Sequence, residues 1–253
     1  MQLTILGSGT AVPSLRRAAP GYLLRAGSDL VIMDAGSGTL QRLLRHGVKH
    51  DEVSHLLITH THLDHCGEIA PWLFASRIPA SRRTRPLTIG GSAGTLEMLA
   101  GLRGVYGHWL EAAAYDLRLL ALEGRSGAVQ QFEGWSLRAG EVNHIGSSLA
   151  YRVEDASGHS VVYSGDTAFC EELIELARGA DLLLIECSAP DGHGMPGHLT
   201  PSEAGEIARR AAVRRVVLTH LYPACDEVDI MSQLRSAYDG PAALAEDGAT
   251  FHI

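Results

Sequence analysis

The sequence predicts an α/β fold with an antiparallel portion, and three features of the 253-residue chain predict it. Its apolar runs, such as Leu182 to Ile185 and Val216 to Leu218, are strand-sized and far shorter than a membrane span. The last third alternates helical and strand patterns, as crossover connections in a sheet require. From Leu117 to Val142, apolar and polar residues alternate with glycine punctuation, the pattern of an antiparallel meander. No internal repeat, low-complexity tract or charged linker marks a boundary, so residues 1–253 read as one domain.

Taken in order, Leu3 to Leu6 is a first strand, followed by the turn Gly7-Ser8-Gly9-Thr10. Its glycines suit close approach of backbone to a ligand, but no third glycine opens a helix behind them, so this is not a dinucleotide fingerprint. Gly21 to Arg25 and Leu30 to Met33 form a hairpin that ends at Asp34-Ala35-Gly36. Thr39 to His46 has helical spacing of Leu40, Leu43 and Leu44, with Gly47 placed to stop it. Leu56 to Ile58 is a strand, Glu68 to Phe74 a helix, Pro86 to Ile89 a strand, Gly90-Gly91-Ser92 a turn and Ala93 to Leu102 a helix. The aromatic stretch Gly104 to Tyr115 reads as two helical turns packing Tyr106, His108 and Trp109 against the core, with a cap over a site as the other reading. Ser148 to Val153 and Ser160 to Tyr163 are strands around the turn Ala156-Ser157-Gly158-His159. Glu171 to Ala177 is a helix and Leu182 to Ile185 a buried strand. Pro201 to Ala211 is a helix with Thr200 as its N-cap and Glu203 near the cap, and Val216 to Leu218 is a further strand.

Composition narrows the classes of function. A hydrophobic content of 45% supports a substantial core. The start of the chain reads as a strand rather than a basic segment followed by an apolar one, so a cytoplasmic protein without a membrane anchor is expected. Cys66, Cys170, Cys187 and Cys225 are far apart and include no C-x-x-C pair, which favours free, mostly buried thiols over a zinc knuckle or disulfide framework. A formal charge of -8 argues against an extensive nucleic-acid surface.

The chemistry concentrates in Ile58 to Gly67, Ile-Thr-His-Thr-His-Leu-Asp-His-Cys-Gly, which follows the strand Leu56 to Ile58. Imidazole and carboxylate together suit a borderline divalent ion such as zinc. His60 and His62 alternate, so an extended backbone points both rings to one side, while Asp64 and His65 continue around the turn and suit a neighbouring ion. Three more residues of metal-binding type, His144, Asp166 and His220, stand where strands end. Side chains at the ends of adjacent strands of a rigid sheet can meet at one edge though distant in sequence. Among the other histidines, His193 lies in a glycine-rich loop and is expected to face solvent. Arg16 and Arg17 read as a solvated loop, with steering of an anionic substrate as the other reading.

This ordered set resembles the metallo-β-lactamase fold superfamily. The resemblance runs from Leu6-Gly7-Ser8-Gly9-Thr10 and Asp34-Ala35-Gly36 through the H-x-H-x-D-H turn to His144, Ser164-Gly165-Asp166-Thr167 and Leu218-Thr219-His220. It implies a four-layer αββα sandwich of two mixed sheets with helices outside. It also implies that His60, His62 and His144 hold one divalent metal ion, that Asp64, His65 and His220 hold a second, and that Asp166 bridges the pair. The ions implied are zinc, with manganese as the alternative.

A bridging aspartate after Tyr-Ser-Gly is unlike the β-lactamases proper, and His62 in place of a glutamate is unlike the flavodiiron oxidoreductases. Gly197-His198-Leu199-Thr200-Pro201-Ser202-Glu203-Ala204, with Leu218-Thr219-His220, is similar to ribonuclease Z and its phosphodiesterase relatives. There the histidine matching His198 stands beside the scissile phosphate without binding metal. Ribonuclease Z carries a long tRNA-clamping arm between the positions matching His144 and Asp166, where this chain has room for one hairpin. A compact phosphodiesterase of the carbon-phosphorus lyase pathway, also armless, is a structural analogue, although its cysteine-rich zinc site is missing here.

The resemblance therefore implies hydrolysis of a small or single-stranded phosphodiester by a metal-bridging hydroxide. Asp64 would orient the nucleophile, and His198 would contact a phosphoryl oxygen or protonate the leaving group. Asp34 and Thr59 would support the ligand rings by hydrogen bonds. The alternatives are a ribonuclease Z-type tRNA 3′ endonuclease, an arylsulfatase, a lactonase or a thioester hydrolase, and more distantly a thiol dioxygenase using one iron. A homodimer is what the ribonuclease Z resemblance suggests.

Overall fold

The computed structural model describes residues 1–124 and 127–253. Residues 125 and 126, inside the stretch read as a meander, lie outside the described residues. One sheet contains β1 (Gln2–Gly7), β2 (Gly21–Ala26), β3 (Asp29–Ala35), β4 (His55–Ile58), β5 (Leu87–Gly91), β6 (Leu117–Ala121) and β14 (Thr250–His252), in the order β14-β1-β2-β3-β4-β5-β6. The other contains β7 (Val129–Phe132), β8 (Trp135–Glu141), β9 (Leu149–Asp155), β10 (Ser160–Tyr163), β11 (Leu182–Glu186), β12 (Val216–Thr219) and β13 (Ala242–Leu244), in the order β13-β12-β11-β10-β9-β8-β7. Both sheets mix parallel and antiparallel pairs.

Strand periodicity builds the layers. Leu3, Ile5, Tyr22, Leu24, Val31 and Met33 face the second sheet, where they meet Leu137, Tyr151, Val153, Tyr163, Leu184 and Val217. The alternate residues Leu23, Ile32, Leu56, Ile58 and Ile89 face outward under helices α1 (Thr39–Arg45), α3 (Ile69–Ala75) and α4 (Ala93–Tyr106). On the far side Val162, Leu183, Ile185 and Leu218 are covered by α5 (Glu171–Ala177), α6 (Pro201–Arg210) and α7 (Ile230–Arg235). Two sheets face to face with helices outside make the four-layer αββα sandwich that the sequence resemblance implies. Among the described residues no helix is long and apolar enough to cross a membrane.

Several readings change. Gly90 and Gly91 are the last residues of β5 rather than a turn, because the backbone there needs room: a Cβ on Gly91 would lie 2.5 Å from Thr95 Oγ1. The stretch 117–142 is not one meander. After α4 crosses over, β6 joins the first sheet parallel to β5, and only β7 and β8 form an antiparallel pair, in the second sheet. The Gly104 to Tyr115 segment does turn helically, ending α4 and adding a short 3-10 turn, Gly107–Leu110. Its aromatics are not core, however: Tyr106 is 50% and Trp109 51% exposed, with Trp109 edge-on to Phe74 and only Leu110 buried.

Arg17 is neither a solvated nor a steering residue. Its guanidinium is buried, gripping Asp226 through Nε at 3.2 Å and Nη2 at 2.8 Å and donating from Nη1 to Ser8 Oγ and the Ala245 carbonyl. The hydrogen bonds from Arg17 hold the Asp226 carboxyl below the usual carboxylate range. That contribution to stability is present above the unfolded-state pKa of about 4 and lost as pH falls through the folded value. Arg17→Ala removes the buried guanidinium that joins Asp226, Ser8 and the Ala245 carbonyl, leaving Asp226 to the exposed Arg16 alone, and is expected to cost about 2 kcal/mol in urea unfolding at pH 7. A change below about 0.5 kcal/mol, the range of ordinary surface substitutions, would show the clamp to be unimportant.

Candidate metal centre

Strand direction collects the functional groups. β3, β4 and β5 are parallel, as are β10, β11 and β12, and β8 runs parallel to β10 through two antiparallel steps. His60 follows β4, His144 follows β8, Asp166 follows β10 and His220 follows β12, so all four leave the carboxyl ends of their strands at one edge of the sandwich. Asp64 and His65 come from a single helical turn, α2 (Leu63–Cys66), within the stretch that the sequence marks as a turn.

The donors form two contiguous sets. His62 Nδ1 lies 3.1 Å from both His60 Nε2 and His144 Nε2. His220 Nε2 lies 3.4 Å from both His65 Nε2 and Asp64 Oδ2. Asp166 stands between them, with Oδ1 3.3 Å from His65 Nε2 and Oδ2 3.4 Å from His220 Nε2, 3.8 Å from His60 Nε2 and 3.9 Å from His144 Nε2. Asp166 Oδ1 is buried and has no hydrogen-bond partner. A tetrahedral ion with ligands at about 2.0–2.1 Å spaces its donors at about 3.3–3.4 Å, and the observed spacings fit that requirement. The residues present therefore suit divalent ions, and the ligand atoms of each set lie within 4.8 Å of one another.

Four of the five ligand-type rings are held from behind. Asp34 takes a left-handed backbone conformation at the end of β3, with φ 57°, and its carboxylate receives four groups. Thr59 N–H and Oγ1 donate to it, His65 Nδ1 lies 2.8 Å from Oδ2, and Tyr163 OH donates to Oδ2 at 2.7 Å. Because the Thr59 hydroxyl donates to Asp34, it accepts from His60 Nδ1, 3.0 Å away. These bonds leave Nε2 of His60 and His65 as the free acceptors facing the cluster. His144 Nδ1 donates to the Gly197 carbonyl at 2.9 Å. A side chain at 197 would intrude on that ring, since a Cβ would lie 3.0 Å from His144 Nδ1. His220, itself strained at φ 56°, is 3.0 Å from Ser188 Oγ through Nδ1.

His198 joins the cluster from the side, with Nδ1 4.0 Å from Asp166 Oδ2 and its ring stacked parallel to His220 at 5.7 Å. The residue that holds it was missed in the sequence. Glu186, fully buried at the end of β11, accepts from His198 Nδ1 at 2.9 Å, from Thr167 N–H and Leu199 N–H, and from Ser188 Oγ. Its one signal was its place, a carboxylate closing an otherwise apolar strand. Burial alone would lower the His198 pKa, but the hydrogen bond and charge of Glu186 outweigh it and raise it above the ordinary value. Burial pushes His60 down to about 2, so that ring is neutral and able to ligate. For Asp64 burial works upward but is overcome by His220 and His65, leaving the carboxyl at about 2. His193 is exposed, as expected, and Tyr222 forms a wall beside His220 and His198. Between His144 and Asp166 lies only the β9–β10 hairpin.

With this geometry in place, comparison with known proteins gives a consistent answer. The family model for the β-lactamase superfamily domain matches residues 30–221. An uncharacterised protein of Mycobacterium leprae is 34% identical over 100% of this chain and 89% of its own length. A ribonuclease Z of Mycolicibacterium paratuberculosis is 33% identical over 88% of this chain and 87% of its own. Among solved structures, the metallo-β-lactamase fold protein YhfI from Bacillus subtilis superposes with a TM-score of 0.84 at 24% identity, covering 99% of this chain and 98% of that one.

Proposed function

Because the chain belongs to the metallo-β-lactamase fold superfamily, in its ribonuclease Z-like branch, we propose that it is a metal-dependent phosphodiesterase acting on small or single-stranded substrates. The observation that carries the reading is Asp166, unpartnered at Oδ1 and placed between two three-residue donor sets, with His198 beside it on a buried carboxylate. His60, His62 and His144 would hold one divalent ion, Asp64, His65 and His220 the other, and Asp166 would be shared. A pair of divalent ions supplies, when bound, a water acidic enough to attack at neutral pH and positive charge for the phosphoryl oxygens.

The chain's own groups do the rest. Asp34 and Thr59 fix the tautomers of His65 and His60. Asp64 presents a carboxylate at the solvent side of its set, able to align an attacking water. His198, whose pKa Glu186 raises, stands beside Asp166 and can donate a proton to the departing alkoxide. The single hairpin between His144 and Asp166 favours a small or single-stranded substrate over a clamped tRNA.

The test is a substrate panel on one purified preparation: a bis-aryl phosphodiester, an aryl sulfate, an aryl lactone and a precursor tRNA, each with and without chelator, alongside metal analysis. Chelator-sensitive cleavage of the phosphodiester, with two zinc or manganese ions per chain, is the expected result. One iron per chain with neither zinc nor manganese would overturn the hydrolase reading. Efficient cleavage of the precursor tRNA would restore the endonuclease assignment.

A further inference from the structure

The chain leaves β12 under tight constraint. His220 takes a left-handed conformation at φ 56°, and Leu221 is buried with its N–H on the Ser8 carbonyl at 3.0 Å. Pro223 then opens a 3-10 turn, Pro223–Asp226, across which the Cys225 N–H closes on the Tyr222 carbonyl at 2.9 Å. The last residue of that turn, Asp226, is the carboxylate gripped by Arg17. Tyr222 therefore stands on backbone that is fixed on both sides, two residues after a ligand-type histidine.

Its ring closes one side of the centre. The centroid lies 5.8 Å from that of His220 and 6.4 Å from that of His198, at interplanar angles of 75° and 73°, while those two rings run parallel to each other. The side chain is half-buried, and its hydroxyl makes no hydrogen bond with any described residue. By contrast, Tyr22, Tyr151, Tyr163 and Tyr238 bond theirs to Thr219, the Ile58 carbonyl, Asp34 and the Val213 carbonyl. Burial, and after it the charges of Asp64, Asp166 and Glu186, act on the Tyr222 hydroxyl, so it sits in the field of the centre. A pinned ring with an unspent O–H donor, beside a cluster suited to divalent ions, offers a charge-assisted bond to an anionic oxygen.

We propose that Tyr222 is a substrate-binding residue whose hydroxyl donates to a non-bridging oxygen of the scissile phosphate. The proposal rests on the phosphodiesterase reading and gives Tyr222 a role different from that of His198. A donor to a non-bridging oxygen acts whatever group departs, whereas a proton donor to the leaving group matters only where that group needs a proton.

Two measurements on the full chain test it. Tyr222→Phe keeps the ring and removes only the hydroxyl. It is expected to lower kcat/KM roughly twentyfold for the p-nitrophenyl ester of thymidine 5′-phosphate, and by the same factor for the corresponding methyl ester, with metal content at the parental level. The second measurement replaces one non-bridging oxygen of the p-nitrophenyl ester by sulfur, a weak acceptor, in each configuration at phosphorus. For one configuration the oxygen-to-sulfur rate ratio of the parental protein should exceed that of Tyr222→Phe by the factor the variant loses on the oxygen ester. For the other configuration the two ratios should agree. Because each ratio is taken within one protein, a general loss of activity cancels.

Parental kcat/KM in Tyr222→Phe on esters that the protein cleaves would overturn the contact and leave the phosphodiesterase reading intact. The same result with a large loss in Tyr222→Leu would make the ring the contact in place of the hydroxyl, and so overturn it as well. Oxygen-to-sulfur ratios that agree in both configurations would reduce Tyr222 to a support for the His220 ring. A parental protein that cleaves none of these esters would remove the phosphodiesterase reading, and the phosphoryl contact with it.

Discussion

Asp166→Ala is expected to lower phosphodiester hydrolysis by roughly a thousandfold or more and to reduce bound metal from two ions per chain to one or none. The reason lies in the surroundings of this one carboxylate, which is within 4.0 Å of ring nitrogens from His60, His65, His144, His198 and His220. Burial works to raise its pKa, but His220 and His65 outweigh it and keep the group ionised. It is therefore the negative charge on which both donor sets depend, and the only buried carboxylate oxygen without a hydrogen-bond partner among the described residues. Asp166→Asn separates charge from shape: it fills the same volume, yet is expected to lose metal nearly as fully as the alanine variant. Metal content by mass spectrometry and turnover of a bis-aryl phosphodiester read both effects. Parental metal content and parental rate in either variant would remove Asp166 from the centre.

How much of this was legible in sequence depends on whether the signal is local. His60, His62, Asp64 and His65 announce themselves by residue type and spacing, and His144, Asp166 and His220 by falling where apolar strands end. The helix α6 was legible for a similar reason, because Thr200 and Glu203 form a reciprocal capping box within one turn. Glu186 escaped notice because a lone acid after Leu-Leu-Leu-Ile has no ligand-type neighbour, and its partner His198 is twelve positions on. Support from a backbone carbonyl, as at Gly197, has no residue-type signature at all. Arg17 looked like a loop residue because its partner Asp226 is 209 positions away. Gly90 and Gly91 misled differently: glycine marks a turn or a close approach equally well, and only the packing of Thr95 and Leu57 against β5 decides between them.

The buried dyad of Glu186 and His198 leads to the second large effect. Glu186→Gln keeps the size of the side chain and one of its two acceptor oxygens, for either the Thr167 or the Leu199 N–H, but removes the charge that raises the His198 pKa. If His198 donates a proton to the leaving group, the loss must depend on how much that group needs one. With a poor, alkoxide leaving group, Glu186→Gln and His198→Ala should each slow turnover roughly a hundredfold. With p-nitrophenolate, which departs without protonation, the same variants should stay within about threefold of the parental rate, because only the proton transfer has been removed. Metal content should remain at the parental level, since the ring contacts of His60, His62, His65 and His144 do not pass through Glu186. His220 is the exception to watch, because Ser188 Oγ bonds both its Nδ1 and Glu186. A loss of equal size on both leaving groups, or a loss of metal that parallels the loss of rate, would make Glu186 a support for the ligand His220 and leave His198 without a proton-transfer role.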